Sequence, residues 1–176
     1  MNRIDWTTKE IKSFTVEGLG DLNTIGSAYC QTFDNRLFIS GGRRGNWQHL
    51  HEVVASGHDQ MEIVERAPST HRHASHALIP IGKQFIVAAS GVVNNDYTNS
   101  CELYAIAQDK WNPLPPLNIA RADHSGCVVG EKNVTVYVFG GFKAGGNPIA
   151  EIEWLDLTGG QQWQVIRPDS SFSPRY

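Results

Sequence analysis

The sequence predicts an all-β fold of repeated four-stranded units, the plan of a β-propeller, on three observations. A glycine stop recurs at a fixed interval, each stop ends the second arm of a β-rich hairpin, and bulky apolar residues follow in the same order. Overlaying "RLFISGG" (36–42), "FIVAASG" (85–91) and "TVYVFGG" (135–141) puts Leu37, Ile86 and Val136 in register, each five residues before the final glycine. Those glycines, Gly42, Gly91 and Gly141, lie 49 and 50 residues apart, close to the roughly 50-residue period of a four-stranded propeller blade.

Strands a and b of each unit form hairpins. "SAYCQTF" joins "RLFIS" across Asp34-Asn35, "ASHALIP" joins "QFIVAAS" across Ile81-Gly82-Lys83, and "HSGCVVG" joins "VTVYVFG" across Glu131-Lys132-Asn133. Polar or glycine-containing breaks of two or three residues between β-rich runs are what a hairpin requires. The glycines that close strand b release the chain at the rim of the sheet, because glycine admits φ > 0 where other residues resist it. Polar stretches, "RRGNWQHL", "VVNNDYTNS" and "FKAGGNPI", then lead to strand c, clearest in "SCELYAI" and "AEIEWLDL", where Glu102 precedes Tyr104, and Glu153 precedes Leu155, by two positions. Strand d follows at Trp111 and Trp163, with Gly159-Gly160 absorbing one extra residue in the third copy. In the first copy, Val53 or Val54 and Met61 or Ile63 stand in for the spaced pair.

The expected division is residues 1–22 as the end of a preceding blade, 23–71, 72–120 and 121–170 as three blades, and 171–176 as the start of a further one. Ile4-Asp5 falls where Leu155-Asp156 does, Ile11 falls near the tryptophan position, and Arg175 in "SFSPRY" falls where Arg121 does. A segment of about 3.5 blades leaves sheet edges and apolar faces to be covered. The expectation is a piece of a longer protein, a ring completed by a second chain, or an open stack of blades on a large partner.

Composition narrows the functional classes. The formal charge of −3 and pI near 6.1 give no basic field for nucleic acid or an anionic membrane. No apolar run approaches the roughly 18 residues that span a bilayer, and "MNRIDWTTKE" has no apolar signal segment, so the expected location is cytoplasmic. Cys30, Cys101 and Cys127 lie in apolar segments without C-x-x-C spacing and read as buried thiols.

A double glycine or its Ser-Gly variant ends each strand b (Gly41-Gly42, Ser90-Gly91, Gly140-Gly141), Tyr104 and Trp111 form a spaced aromatic pair, and Arg72 and Arg121 open strand a in "THRHASHAL" and "IARADHSGCVV". With these features repeated over almost the whole chain, the sequence resembles the kelch repeat family, although the first copy lacks the aromatic pair and the leading arginine. The resemblance implies a kelch-type propeller segment of three complete blades with partial blades at both ends. It also implies a non-enzymatic scaffold that binds a protein or peptide through its b–c loops and d–a connections. Carried over by position, that face comprises Arg43, Arg44 and Trp47, then Asn94, Asn95 and Tyr97, then Phe142 and Lys143, joined by Arg72 and Arg121. Arginine offers a planar fork of donors for carboxylates and exposed Trp or Tyr a rigid apolar contact, so an acidic peptide is the matching ligand. The competing reading makes the loop residues solvated, with Arg72 and Arg121 bonding structurally to nearby backbone.

Two further functions stand beside this one: a structural subunit docked in a large assembly, and a metal-dependent enzyme using the propeller channel, as some kelch propellers do. Two imidazoles from His49 with His51, or His71 with His73, share a strand face but fall short of a metal site. "GGFKAGG" opens no helix, and Ser90, Ser100 and Ser125 have no G-x-S-x-G elbow. No cofactor, metal or catalytic residue is therefore expected.

Overall fold

The computed structural model describes residues 2–5, 10–13, 15–17, 25–43, 47–57, 60–130 and 133–169. Those residues form an all-β fold. Three strands come first, β1 (Asn2–Asp5), β2 (Glu10–Ser13) and β3 (Thr15–Glu17). Blade 1 consists of β4 (Ala28–Gln31), β5 (Leu37–Ser40), β6 (Leu50–Gly57) and β7 (Gln60–Arg66). Blade 2 consists of β8 (Ala77–Ile81), β9 (Phe85–Val93), β10 (Asp96–Ala105) and β11 (Lys110–Leu114). Blade 3 consists of β12 (Ser125–Val129), β13 (Thr135–Phe139), β16 (Ile152–Asp156) and β17 (Gln164–Ile166), with the small hairpin β14 (Phe142–Lys143) and β15 (Asn147–Pro148) in its b–c loop. Each blade is an antiparallel sheet in the order a-b-c-d.

The predicted hairpins close as the turn residues require. Asn35 and Gly82 take φ of 65° and 57° in the first two turns, conformations that Asn and Gly tolerate. Strand register also decides between the alternatives left open in the first copy. Leu37 pairs with Val53 and Val53 with Ile63, as Ile86 pairs with Tyr104 and Tyr104 with Trp111, so Val53 and Ile63 occupy the pair. Likewise Ile4 pairs with Ile11 between β1 and β2. One departure from the repeat is β3, which runs parallel to β7 and gives blade 1 a fifth strand. Residues 171–176, with Arg175, lie outside the described residues.

Alternation along the strands gives each blade a forward face toward the next and a backward face toward the one before. Between blades 2 and 3, Ile79, Ile81, Val87, Ala89 and Cys101 meet Val136, Val138, Leu155, Leu117 and Trp163. Between blades 1 and 2, Cys30, Phe38 and Leu50 meet Leu78, Ile86, Ala88, Tyr104 and Trp111, with Phe38 edge-on to Tyr104 at 6.2 Å. This second junction is more polar. Ser40 is buried in it, and Glu52 takes forked bonds from Arg36 (2.6 and 2.8 Å) and Arg66 (2.9 and 2.6 Å). Burial alone would raise the Glu52 carboxyl, but the two guanidinium groups hold it below its ordinary range.

The tryptophans on strand d do two things. Each buries on the order of 150–250 Å², and each indole N–H reaches back to the preceding connection, Trp111 to the Ala67 carbonyl at 2.9 Å and Trp163 to the Pro115 carbonyl at 2.8 Å.

The glycine stop is explained by the junction between blades. Gly91 has φ 116°, a Cβ there would sit 2.5 Å from the Ala74 carbonyl oxygen, and its N–H donates to the Arg121 carbonyl of the next blade at 2.8 Å. Gly42 likewise donates to the His73 carbonyl at 3.1 Å. A second link runs along the inner strands. The Ser75 N–H donates to the Gly26 carbonyl at 2.7 Å and the Asp123 N–H to the Ser75 carbonyl at 2.8 Å, all three residues being left-handed (φ 73°, 53° and 54°).

Cys30 and Cys101 are buried, and burial pushes both thiols up to about 12. Cys127 corrects the sequence reading: it is exposed, on the forward face of blade 3.

Candidate partner-binding face

In an a-b-c-d sheet of antiparallel strands, the b–c loops and d–a connections fall at the same end of every blade. The buried glutamates of strand c organise that end. Glu153 accepts from the Asn118 backbone and side-chain N–H groups (2.6 and 2.9 Å), from the Ile119 N–H (3.1 Å) and from Arg121 Nη2 (2.9 Å). In blade 2, Glu102 accepts from the Thr70 N–H (2.9 Å), the Thr70 hydroxyl, the His71 N–H (2.9 Å) and His73 Nε2 (3.0 Å). Burial would raise Glu102, but these donors outweigh it and hold the carboxyl at about 2. Each glutamate thus ties the incoming d–a connection to its own blade.

Arg121 is corrected as a partner-binding candidate. It has no exposed surface, pairs with Glu153 and donates through Nη1 to the Gly140 and Glu151 carbonyls (3.1 and 3.2 Å). The structural role is the one the fold uses. The register of Arg72 is also corrected. Arg121 lies two residues before the left-handed Asp123, and the residue two before the left-handed Ser75 is His73. His73 Nδ1 lies 2.9 Å from the Ser90 carbonyl oxygen and Nε2 lies 3.0 Å from the Glu102 carboxylate, so His73 occupies beside Glu102 the place that Arg121 occupies beside Glu153. A one-residue shift turns the neighbouring side chain to the other side, so Arg72 is exposed on the loop end. In blade 1 the register of Glu102 and Glu153 falls on His51, whose Ile39 partner corresponds to Ala88 and Val138.

Of the other candidates, Arg43 is exposed, its N–H donating to the Ile25 carbonyl at 2.8 Å. Trp47 is half-buried and its carbonyl accepts from the His73 N–H at 3.2 Å, while Gln48 Nε2 donates to the Ser69 and Thr70 carbonyls. The first b–c loop is thereby laced to the connection that bears Arg72. Asn94 and Asn95 are exposed at the tip of the β9–β10 hairpin with φ 52° and 71°, and Tyr97 is half-buried beside them, paired with Val92. Lys143 is exposed on β14, where Phe142 exchanges backbone bonds with Ala122. Arg44 lies outside the described residues.

The histidines form close pairs: the tilted rings of His49 and His51 lie 4.8 Å apart between centres and those of His73 and His76 5.1 Å. Among the described residues no three His, Cys, Asp or Glu side chains converge on a metal position. Burial, with neighbouring positive groups adding to it, lowers His76 well below the imidazole range and His124 to about 3. Both flank an open cleft of about 390 Å³ between the three inner strands, with Tyr29 and Leu78. One grouping, Thr70, His71 and Glu102, has the residue types of a nucleophilic site, but the Thr70 hydroxyl already donates to Glu102.

No family model matches the chain. Among curated proteins, "Kelch-like protein 40" of Xenopus laevis is 30% identical over 125 residues, covering 70% of this chain and 20% of that protein. "Kelch repeat and BTB domain-containing protein 2" of Cowpox virus (strain GRI-90 / Grishak) is 28% identical over 108 residues, covering 61% and 19%. The chain therefore aligns with about a fifth of the length of each. Among solved structures, that described as "Structure of YjhT", a kelch-type propeller, matches 94% of this chain and 51% of its own with a TM-score of 0.69 at 15% identity, a likeness of fold. Among the described residues, no helix is long and apolar enough to cross a membrane.

Proposed function

We propose that this chain, a run of kelch repeats, is a non-enzymatic protein-interaction module that holds an acidic peptide segment on the loop end of its blades. The observation that carries the reading is the anchoring of the d–a connection bearing exposed Arg72 by buried Glu102, with the first b–c loop laced to it through Trp47 and Gln48. Arg43, Arg72 and Lys143 supply three cations against the exposed Asp96 and Asp123, and Trp47 and Tyr97 supply half-buried aromatic surface. Loops held in advance lose little freedom on binding, and so retain more of the contact energy as affinity. The kelch-repeat relatives support a protein partner in general terms. A non-enzymatic role fits the Thr70 hydroxyl being directed at Glu102 rather than at a reacting carbon.

The test is a display library of peptides graded in Asp and Glu content, followed by the double variant Arg43→Ala/Arg72→Ala. The expected outcome is selection of acidic sequences and at least about tenfold weaker capture by the variant, with an unchanged urea midpoint. Equal capture of neutral and acidic peptides, or capture indifferent to both arginines, would sink the reading.

A further inference from the structure

Two buried imidazoles line the open cleft between the inner strands, His76 from blade 2 and His124 from blade 3. His76 is 5% exposed, and among the described residues neither of its ring nitrogens has a hydrogen-bond partner. His124 is 8% exposed, and the Ala89 carbonyl lies beside its ring. A buried polar group without a partner is costly, and native folds hold few of them. The junctions do not require it. Counted from the left-handed Gly26 and Ser75, blade 1 carries Ser27 where blade 2 carries His76, and the Ser27 hydroxyl donates to the Gly41 carbonyl at 2.9 Å.

The surroundings of the two rings select the charge of a ligand. The groups that act on His76 are the imidazoles of His73, His124 and His49, and the charged group that acts on His124 is Arg121. Glu102 faces His73 and Glu153 faces Arg121, and no carboxylate lines the cleft. Among the described residues no third metal ligand converges there, whereas the N–H of an imidazole is a donor that an anion can use. Ala28, Ala77 and Leu78 give the cleft an apolar wall.

We propose that this cleft binds a small monocarboxylic acid with a short apolar body, its carboxylate held by His76 and His124 and its body along Ala77 and Leu78. The volume of about 390 Å³ lies within the range of small-molecule sites, roughly 300–1,000 Å³. A carboxylate seated there accepts from the ring N–H groups and favours the protonated imidazoles, against the burial and the Arg121 charge that oppose them. Binding therefore takes up protons and tightens as pH falls from about 7.5 to about 6. The cleft site stands apart from the loop-end reading, which uses Arg43 and Arg72.

Calorimetry of the full chain with acetate, butyrate and benzoate, each against its neutral amide and with chloride holding the ionic strength, tests the site. The expected result is that butyrate or benzoate binds at least about tenfold more tightly than its amide, since hydrogen bonds to an ionised acceptor are the stronger kind. His76→Leu and His124→Leu should each lose that preference, while Arg43→Ala/Arg72→Ala should keep it. Where a histidine variant does not fold, the C2–H resonances of His76 and His124 in the parent chain give the answer: both should move on addition of the acid and titrate at a higher pH in its presence. Equal binding of acid and amide, a preference lost in the arginine variant instead, or histidine resonances that ignore the acid would each overturn the proposal, the last leaving water as the partner of the two rings.

Discussion

Arg121 and Glu153 meet at 2.9 Å as two charged side chains with no exposed surface, so each is the other's substitute for water. Removing one partner strands the other charge in the junction. Arg121→Met is expected to cost about 3–5 kcal/mol, read as a shift of the urea midpoint. The double variant Arg121→Met/Glu153→Gln should cost less than the two single changes added together, since no orphaned charge remains. Strict additivity would show that the pair is uncoupled.

Gly91→Ala places a methyl group against the Ala74 carbonyl in a left-handed backbone. The conformational penalty alone is roughly 1–2 kcal/mol, and the contact adds to it. Gly159, where an added methyl group would meet nothing within 4 Å, is the control: Gly159→Ala should leave stability within about 0.5 kcal/mol of the parent. Chemical denaturation of the two variants side by side checks the contrast.

Acid should loosen the junctions in two stages. A histidine lowered in the folded state binds its proton more readily when unfolded, so stability falls with pH below the ordinary imidazole value, continuing for His124 to about 3. His76, lowered in the same direction, adds to this loss. Glu102 acts in the window below: its contribution is present above the ordinary carboxyl value and is lost as pH falls through about 2. Urea midpoints between about pH 7 and pH 4 should decline in the parent and decline less in His124→Gln. Parallel slopes would remove His124 from the account.

The repeat was legible in the sequence because its signals are local. Glycines at positive φ, two- and three-residue hairpin turns and the spacing of Tyr104, Trp111 and Trp163 depend on the chain within one blade. Register across the sheet was less accessible. Arg72 and His73 are neighbours, and only the left-handed Ser75 shows which of them matches Arg121. The left-handed string of Gly26, Ser75 and Asp123 uses three residue types, and so leaves no pattern to read. Burial misled twice, at Arg121, whose charge suggests the surface, and at Cys127, whose apolar neighbours suggest the interior.

The forked carboxylate of Glu52 has a consequence for the order in which the molecule comes apart. Where blade 2 offers Ala89 and Leu103 to its neighbour, blade 1 offers Ser40 and Glu52, so its junction gains less from excluding water. In an array whose units hold mainly their neighbours, the weakest coupling sets where fraying begins. Amide hydrogens of β5 and β6 should therefore exchange with deuterium before those of β9 and β13. The first blade would peel away while the other two remain a cooperative pair.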